Sequence, residues 1–372
     1  MINDAYDAII VGASFAGLAA ASQLRGNILL LDKDEIGAGQ TSACGTTLNV
    51  LELLGCEDSL EQIWDTGFIH TPKGVVRYDF PYPLCSFNYK KFCQKLARIF
   101  GADFVKAKVL EVRAGSVVTD AGSFRGKYLI DASGWRAVLA GMPGNSRLNS
   151  KMSFGIETTV PHRTEGIHFY FDPRLIKRGF GWLFPCGEQA RIGVASYVHE
   201  HNLRDKLDTL LAMLGFAGGD IHGGFFPAHL NKPTSGNVFL VGDAAGQCEP
   251  LSGFGIRPAL YFGFRCGAIV QQIIEGRLTL AKGLKKYERI QNSFRPYYGL
   301  LEWLQDAPMA LPGSIIIQAM LLLSLKPLCH DALNWHWQHS CLEELLAKPL
   351  PDTSKSTESS RYGRAFRDIK VG

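Results

Sequence analysis

The chain has 372 residues, 46% hydrophobic and 20% charged. That balance excludes a largely disordered protein and is long enough for two packed units, or one large unit with an insertion. The net charge of +4 comes without a long Lys/Arg run in the part expected to fold, so no nucleic-acid-binding footprint is expected. Nine cysteines, an odd number without CxxC spacing, argue against a disulfide framework or zinc ribbon and fit reduced thiols in a cytoplasmic protein.

Tyr6–Val11 (YDAIIV) is an apolar, β-prone run that ends at a glycine. No basic and apolar leader precedes it, so no signal peptide is expected. The segment GASFAG then opens a helix over LAAASQLRG, closed by Gly26, and Asn27–Asp32 (NILLLD) is a second buried strand. Together these make a βαβ unit. Val105–Val112 and Val117–Thr119 are expected as strands with a turn at Ala114-Gly115, and Arg125–Asp131 as another. FGIETTV, GIHFYF, FGWLF and ARIGVASY follow one another between Phe154 and Tyr197 and predict an antiparallel sheet. His201–Leu214 is an amphipathic helix. Asn237–Val241 is a strand running into GDAAG, and a long helix spans Gly255 to about Glu275. Met309–Leu325 is apolar but interrupted by Pro312, Gly313, Ser314 and Gln318, which favours a buried or interfacial helix over a spanning one. From Pro351 onward the chain is polar, poor in aliphatics and expected to be mobile.

Gly12-Ala13-Ser14-Phe15-Ala16-Gly17 is a GxGxxG-type loop with Ser14 at the second glycine position. Gly12 allows the tight turn, the second position lets the backbone approach a pyrophosphate, and Gly17 lets helix and strand pack closely. The helix N-terminus adds free N–H groups and partial positive charge. Asp32 closes the next strand and is placed to accept from ribose hydroxyls. A second cluster, Val241-Gly242-Asp243-Ala244-Ala245-Gly246 then Pro250-Leu251-Ser252-Gly253-Phe254-Gly255-Ile256, puts another carboxylate at a strand end and another glycine-bounded helix start downstream.

On these residues the chain resembles the geranylgeranyl reductase family within the FAD-dependent hydroxylase-like superfamily. GDAAG and PLSGFGI are similar to that family's GDAAG…P.tGeGI, with Phe254 where Glu is usual. Leu129-Ile130-Asp131-Ala132-Ser133-Gly134 is similar to a second short flavin motif, with Ala132 and Ser133 separating Asp131 from Gly134. Ser42-Ala43-Cys44-Gly45 resembles the family's CG segment. Phe180-Gly181-Trp182-Leu183-Phe184-Pro185 with Gly193-Val194-Ala195 resembles its YxWxFP…GxG substrate-cavity motif, Phe180 replacing Tyr and Ala195 the second Gly.

The resemblance implies an α/β fold: a Rossmann-like FAD-binding domain with an inserted antiparallel-sheet substrate domain and a helical C-terminal region. The expected division is FAD domain 1–75, 95–150 and 232–290, substrate domain 76–94 and 151–231, helical region 291–350 and a flexible tail 351–372. It implies FAD contacts from Gly12, Ser14, Phe15, Ala16, Gly17, Asp32, Lys33, Cys44, Gly45, Val109, Asp131, Gly134, Gly242, Asp243, Pro250, Gly253, Phe254, Gly255 and Ile256. Asp32 would serve the adenosine ribose and Asp243 the ribityl chain. Phe180, Trp182, Phe184 and Pro185 would line an apolar substrate slot.

Saturating an alkene takes a hydride and a proton, so a positioned acid is expected. Cys44 is the candidate, with Cys248 and Glu249 second. The ten histidines show no HxxxH or HExxH pattern, and no metal site is expected; His330, His336 and His339 with Cys329 and Cys341 form a cluster read as helix surface. The implied partners are a prenyl-lipid or other apolar substrate, an electron donor such as NAD(P)H or ferredoxin, and a peripheral membrane contact through Met309–Leu325 and the basic tail. Two alternatives stand beside this reading. One is a flavin monooxygenase or halogenase, since IDASGWR resembles a halogenase segment and Trp182 and Pro185 fit part of the Trp-x-Trp-x-Ile-Pro pattern. The other is a silent lipid-binding flavoprotein.

Overall fold

The computed structural model describes residues 5–100, 102–113, 116–140, 152–198, 202–227 and 229–306, with six helical residues beyond them (315, 318, 331 and 334–336). The chain begins with β1 (Tyr6–Val11), α1 (Phe15–Ser22) and β2 (Ile28–Asp32). It continues through β3 (Gly45–Thr47), α2 (Leu48–Leu54), the long hairpin β4 (Leu60–Thr71) and β5 (Gly74–Phe87), and α3 (Tyr89–Phe100). Then come β6 (Asp103–Lys106), β7 (Val109–Arg113), β8 (Ser116–Thr119) and β9 (Gly122–Asp131). The middle supplies β10 (Met152–Val160), β11 (Ile167–Tyr170), β12 (Gly179–Cys186), β13 (Gln189–Ser196), α4 (Leu203–Met213) and β14 (Ile221–Pro227). The described part closes with β15 (Thr234–Ser235), β16 (Val238–Leu240), α5 (Ile256–Ile274), α6 (Leu280–Asn292) and α7 (Arg295–Asp306).

Two eight-stranded sheets organise these elements. The first runs β15-β16-β9-β1-β2-β6, with β7 and β8 attached through β9. Its central strands are parallel, and a parallel strand buried on both faces must be apolar on both. The sequence obeys: Ala8, Ile10, Leu30 and Ile130 face α1, α3 and α5, while Ile9, Leu29, Leu31 and Leu129 face the β7–β8 side. The second sheet runs β14-β10-β13-β12-β11-β4-β5-β3 and is antiparallel except where β11 meets β4. α4 covers one face through Leu203, Leu207, Leu210 and Leu211. Aromatic side chains fill the other.

The α/β class and the antiparallel sheet follow the sequence reading, and the expected helices at 201–214 and 255–275 are α4 and α5. Three differences have physical causes. The expected strand Val105–Val112 is two strands. β6 finishes its ladder when the Ala107 amide reaches the Asp32 carbonyl at 2.7 Å, and the Lys108 amide then turns to the Asp120 carboxylate at 2.8 Å. The first helix ends at Ser22 rather than running to Gly26, whose φ of +112° belongs to the following turn. Residues 45–75, grouped with the dinucleotide unit by sequence, supply β3, β4 and the start of β5 in the second sheet. β4 and β5 pair locally as a hairpin, but their place in the second sheet is set by β4 pairing with β11 and β5 with β3, far away in the chain, which no short-range pattern marks. The Ala114-Gly115 turn, most of Met309–Leu325 and the tail from 351 lie outside the described residues. Among the described residues no helix is long and apolar enough to cross a membrane.

Candidate functional site

Strand register brings the sequence motifs to one edge. Val11 pairs with Leu31 and Asp131, and Asp131 with Leu240, so the loops after β1, β2, β9 and β16 leave the sheet side by side. That is where an open parallel sheet presents its ligand crevice. α1 and α5 lie alongside with the same polarity. A Cβ on Gly263 would stand 2.4 Å from the Ala16 carbonyl oxygen and one on Gly267 would stand 2.3 Å from that of Ala20. Two glycines one turn apart thus let the helix backbones touch, and both positive helix ends face the same crevice.

The first loop is tight. Gly12 has φ +110°, and a Cβ there would sit 2.1 Å from the Ala132 carbonyl oxygen. Asp32, at the end of β2, accepts from the Ala13 amide at 2.7 Å and the Asp34 amide at 3.0 Å. It therefore clamps the glycine loop while its half-buried carboxylate remains at the crevice. Ser14 begins α1 without a side-chain cap bond. Lys33 is exposed and pairs with Asp34.

Asp131 turns inward. Its carboxylate accepts from the Ser133 amide and hydroxyl and from the Leu139 and Ala140 amides. Burial nevertheless raises its pKa, against the lowering by those bonds. It shapes the loop carrying Gly134. Val109 sits in the β7–β8 hairpin against the cluster on the far face of the sheet from α1 and α5.

Asp243 behaves differently. It follows β16 in a 3-10 turn, Gly242–Ala245, and its side chain makes no hydrogen bond among the described residues. Desolvation pushes its pKa up to about 6. Gly242 is held by the Gln247 side chain, which accepts its amide at 2.6 Å and binds Gln291 and Tyr287 from α6. The loop after it is strapped by α7. Tyr297 donates to Glu249 at 3.1 Å, Tyr298 to the Gln247 carbonyl at 2.6 Å, and Gln305 to the Pro250 carbonyl at 2.6 Å. His336 lies 3.5 Å from the same Glu249; the other members of its sequence cluster lie outside the described residues. Cys248 is buried beside Glu249, and its thiol pKa is driven far up by desolvation.

Between the sheets lies a pocket lined by Gly45, Thr46, Thr47, Trp64, Leu84, Ile167, Phe184, Phe254, Ile256 and Arg257. Gly45 is needed there: a Cβ would press on Phe184 and Trp64, both at 3.3 Å. The hydroxyls of Thr46 and Thr47 are buried with no partner among the described residues. A protein rarely leaves buried hydroxyls unpaired, so these two fit the edge of a bound polar ring. Cys44 precedes them with φ +54°, one of two non-glycine residues with positive φ among the described residues. Its thiol is fully buried, donates to the Ser42 carbonyl at 3.3 Å, and is held protonated by desolvation.

Phe180, Trp182 and Phe184 alternate along β12 and share the aromatic face with Trp64 and Tyr197. Pro185 contributes its carbonyl, which accepts from the Trp64 indole at 3.1 Å and Ser86 at 2.8 Å. Trp182 donates to buried Glu157 at 3.0 Å, and His222 meets the same carboxylate at 2.8 Å. Gly193 leaves room for the indole; its Cβ would lie 2.1 Å from that ring. Thr46, Thr47, Trp64, Arg257 and Glu157 were not singled out by sequence. The two threonines directly follow Cys44-Gly45, which is the one local signal available. Trp64 and Glu157 reach the site through strand pairing, and Arg257 through the first turn of α5.

No family model matches the chain. A digeranylgeranylglycerophospholipid reductase of Methanothermobacter thermautotrophicus is 25% identical over 323 residues, 76% of this chain and 82% of the relative. A geranylgeranyl bacteriochlorophyll reductase-like structure from Thermoplasma acidophilum superposes with a TM-score of 0.79 at 19% identity, over 92% of this chain and 98% of that one. A flavin-dependent brominase superposes with a TM-score of 0.68 at 14% identity, over 91% and 94%. The chain is thus similar in sequence to digeranylgeranylglycerophospholipid reductases and shares its fold with these two solved structures.

Proposed function

We propose that this chain binds FAD along the crevice and reduces C=C bonds of a geranylgeranyl or other polyprenyl substrate. One observation carries the reading: an unpaired Asp243 carboxylate and the unpaired Thr46 and Thr47 hydroxyls occur with an aromatic pocket in one fold. Asp243 suits hydroxyls of a ribityl chain, the threonines suit the polar edge of a flavin ring, and the Trp64–Phe184 wall suits an isoprenoid. When bound and reduced, FAD supplies the hydride.

The protein's part is binding, orientation and exclusion of water. The glycine loop and the α1 N-terminus hold the pyrophosphate. The Trp64, Leu84, Ile167 and Phe184 side chains pack the alkene and keep the pocket dry. Cys44 is our proton donor. Its thiol stays protonated, which suits an acid and not a thiolate nucleophile, and its strained backbone marks a position held for function. It must turn from the Ser42 carbonyl to act. A Cys44→Ala variant is expected to retain FAD and lose at least about tenfold in turnover, within the range of a general acid.

The decisive experiment mixes anaerobically reduced protein with a geranylgeranyl lipid. Oxidised-flavin absorbance should return, with product heavier by two hydrogens or a multiple of two. Reduced flavin that ignores the lipid but reacts with oxygen through a long-lived adduct would replace this reading with a monooxygenase or halogenase, which the likeness to the brominase fold favours. The physiological donor of electrons, NAD(P)H or ferredoxin, is tested by which of them reduces the flavin. We also propose a peripheral membrane contact, and flotation with anionic vesicles tests it: protein that stays at the bottom of the gradient removes it.

A further inference from the structure

Ser14 occupies the second glycine position of the phosphate loop, where a side chain costs closeness of approach. A serine beginning a helix ordinarily turns its oxygen back on the first-turn amides. Ser14 makes no such bond. Its oxygen instead accepts from the hydroxyl of Tyr89, at 3.0 Å. Tyr89 is the first residue of α3 and is buried, its ring fixed edge-on against Phe15 with centroids 5.5 Å apart. A hydroxyl has one hydrogen to give. The Ser14 hydrogen has no acceptor among the described residues, and neither Phe15, Ala16 nor Gly17 has its amide taken by a side chain.

We propose that Ser14 and Tyr89 form a coupled hydroxyl pair that binds a phosphate oxygen of the dinucleotide: Tyr89 occupies the acceptor side of Ser14 and so turns the serine proton toward the anion. Ser14 is then the contacting residue and Tyr89 a positioning residue. Burial raises the Tyr89 pKa, so the phenol remains a donor throughout the working pH range. The side chain that replaces glycine returns a charge-assisted hydrogen bond for the closeness it gives up. This inference rests on the FAD reading above.

The test is FAD affinity of the flavin-free protein, followed by quenching of flavin fluorescence, with ADP as a competing probe that carries the adenosine and pyrophosphate without the flavin. Ser14→Ala should weaken FAD by about tenfold, ~1.4 kcal/mol, and weaken ADP by the same factor. Tyr89→Phe, which keeps the ring, should weaken it by about threefold, about half of that hydrogen bond. The double variant should be no weaker than Ser14→Ala alone, because Tyr89 acts through Ser14. Ser14→Gly loses the hydrogen bond but regains the closer approach of the backbone, so it should lose less than Ser14→Ala. Unchanged or tighter binding by Ser14→Ala overturns the proposal, and losses that multiply in the double variant overturn the coupling. Wild-type protein that fails to bind FAD at all overturns the reading beneath it instead.

Discussion

Asp243 and Trp182 show how single residues are committed to the site. Burial pushes the Asp243 pKa up to about 6, above the ordinary carboxylate value of 3.8. The sign follows: the folded state holds the proton more tightly than the unfolded chain. The contribution to stability is therefore fully present below about pH 4 and is lost as pH rises through about 6. At pH 7.5 the flavin-free protein carries a penalty on the order of 3 kcal/mol. Asp243→Asn should raise its melting temperature at pH 7.5, change it little at pH 4, and weaken FAD. A variant whose stability tracks wild type at both pH values would mean that the carboxylate is not desolvated. Trp182 depends on the gap at Gly193. Gly193→Val drives side-chain atoms into the indole, with an expected cost of about 2 kcal/mol, typical of overpacking. Loss of the prenyl substrate's saturation kinetics should accompany it, with FAD affinity kept, because the glycine loops lie on the other sheet. Cys44, Gly45 and the two flanking glycine loops were legible from their own neighbours. Thr46 and Thr47 became functional candidates only when their hydroxyls were found buried and unpaired.

At the scale of elements, α1 and α5 act as a pair. Their contact through Gly263 and Gly267 fixes where the two helix ends stand. Gly263→Ala should force the helices apart, cost about 2 kcal/mol, and weaken FAD although no cofactor contact is altered. Unfolding by denaturant together with flavin titration measures both effects; an unchanged affinity would show the helix ends to be independent. α7 is the element whose use was least visible in the sequence. Three of its side chains hold the Gln247–Pro250 segment, which precedes the loop that places Phe254 and Ile256 in the pocket wall. Tyr297→Phe removes one bond to a buried carboxylate and should cost about 1–2 kcal/mol. The measurement that separates strap from mere ballast is local: hydrogen exchange across 247–256 should quicken more than exchange in β1 or β9.

Across the whole molecule, the two sheets divide the work. The parallel sheet carries the glycine-loop crevice proposed to take the phosphates, the antiparallel sheet the aromatic wall, and the pocket takes Gly45–Thr47 and Phe184 from the antiparallel sheet and Phe254–Arg257 from the α5 end of the parallel one. FAD bound across that boundary should stabilise the entire fold. At a hundredfold excess over its Kd the gain is about 2.7 kcal/mol, seen as a rise of several degrees in melting temperature; FMN, which lacks the adenosine half, should give less. Equal shifts with both would remove the extended cofactor from the account.

The sequence by itself determined the parts whose signals are local. The βαβ unit, the two glycine loops, the strand-end acids Asp32 and Asp243, the antiparallel run from Phe154 to Tyr197 and α5 are each written in contiguous stretches of sequence, because turn glycines and apolar periodicity act at short range. The tertiary structure decided what depends on distant pairing. It moved 45–75 into the second sheet, split β6 from β7, turned Asp131 in on its own loop while leaving Asp243 unpaired, and set α7 against the Gln247–Pro250 segment. The sheet assignment and the α7 strap join residues far apart in the chain, while the Asp131 carboxylate chooses among amides two to nine residues on; no local pattern encodes which partner is taken.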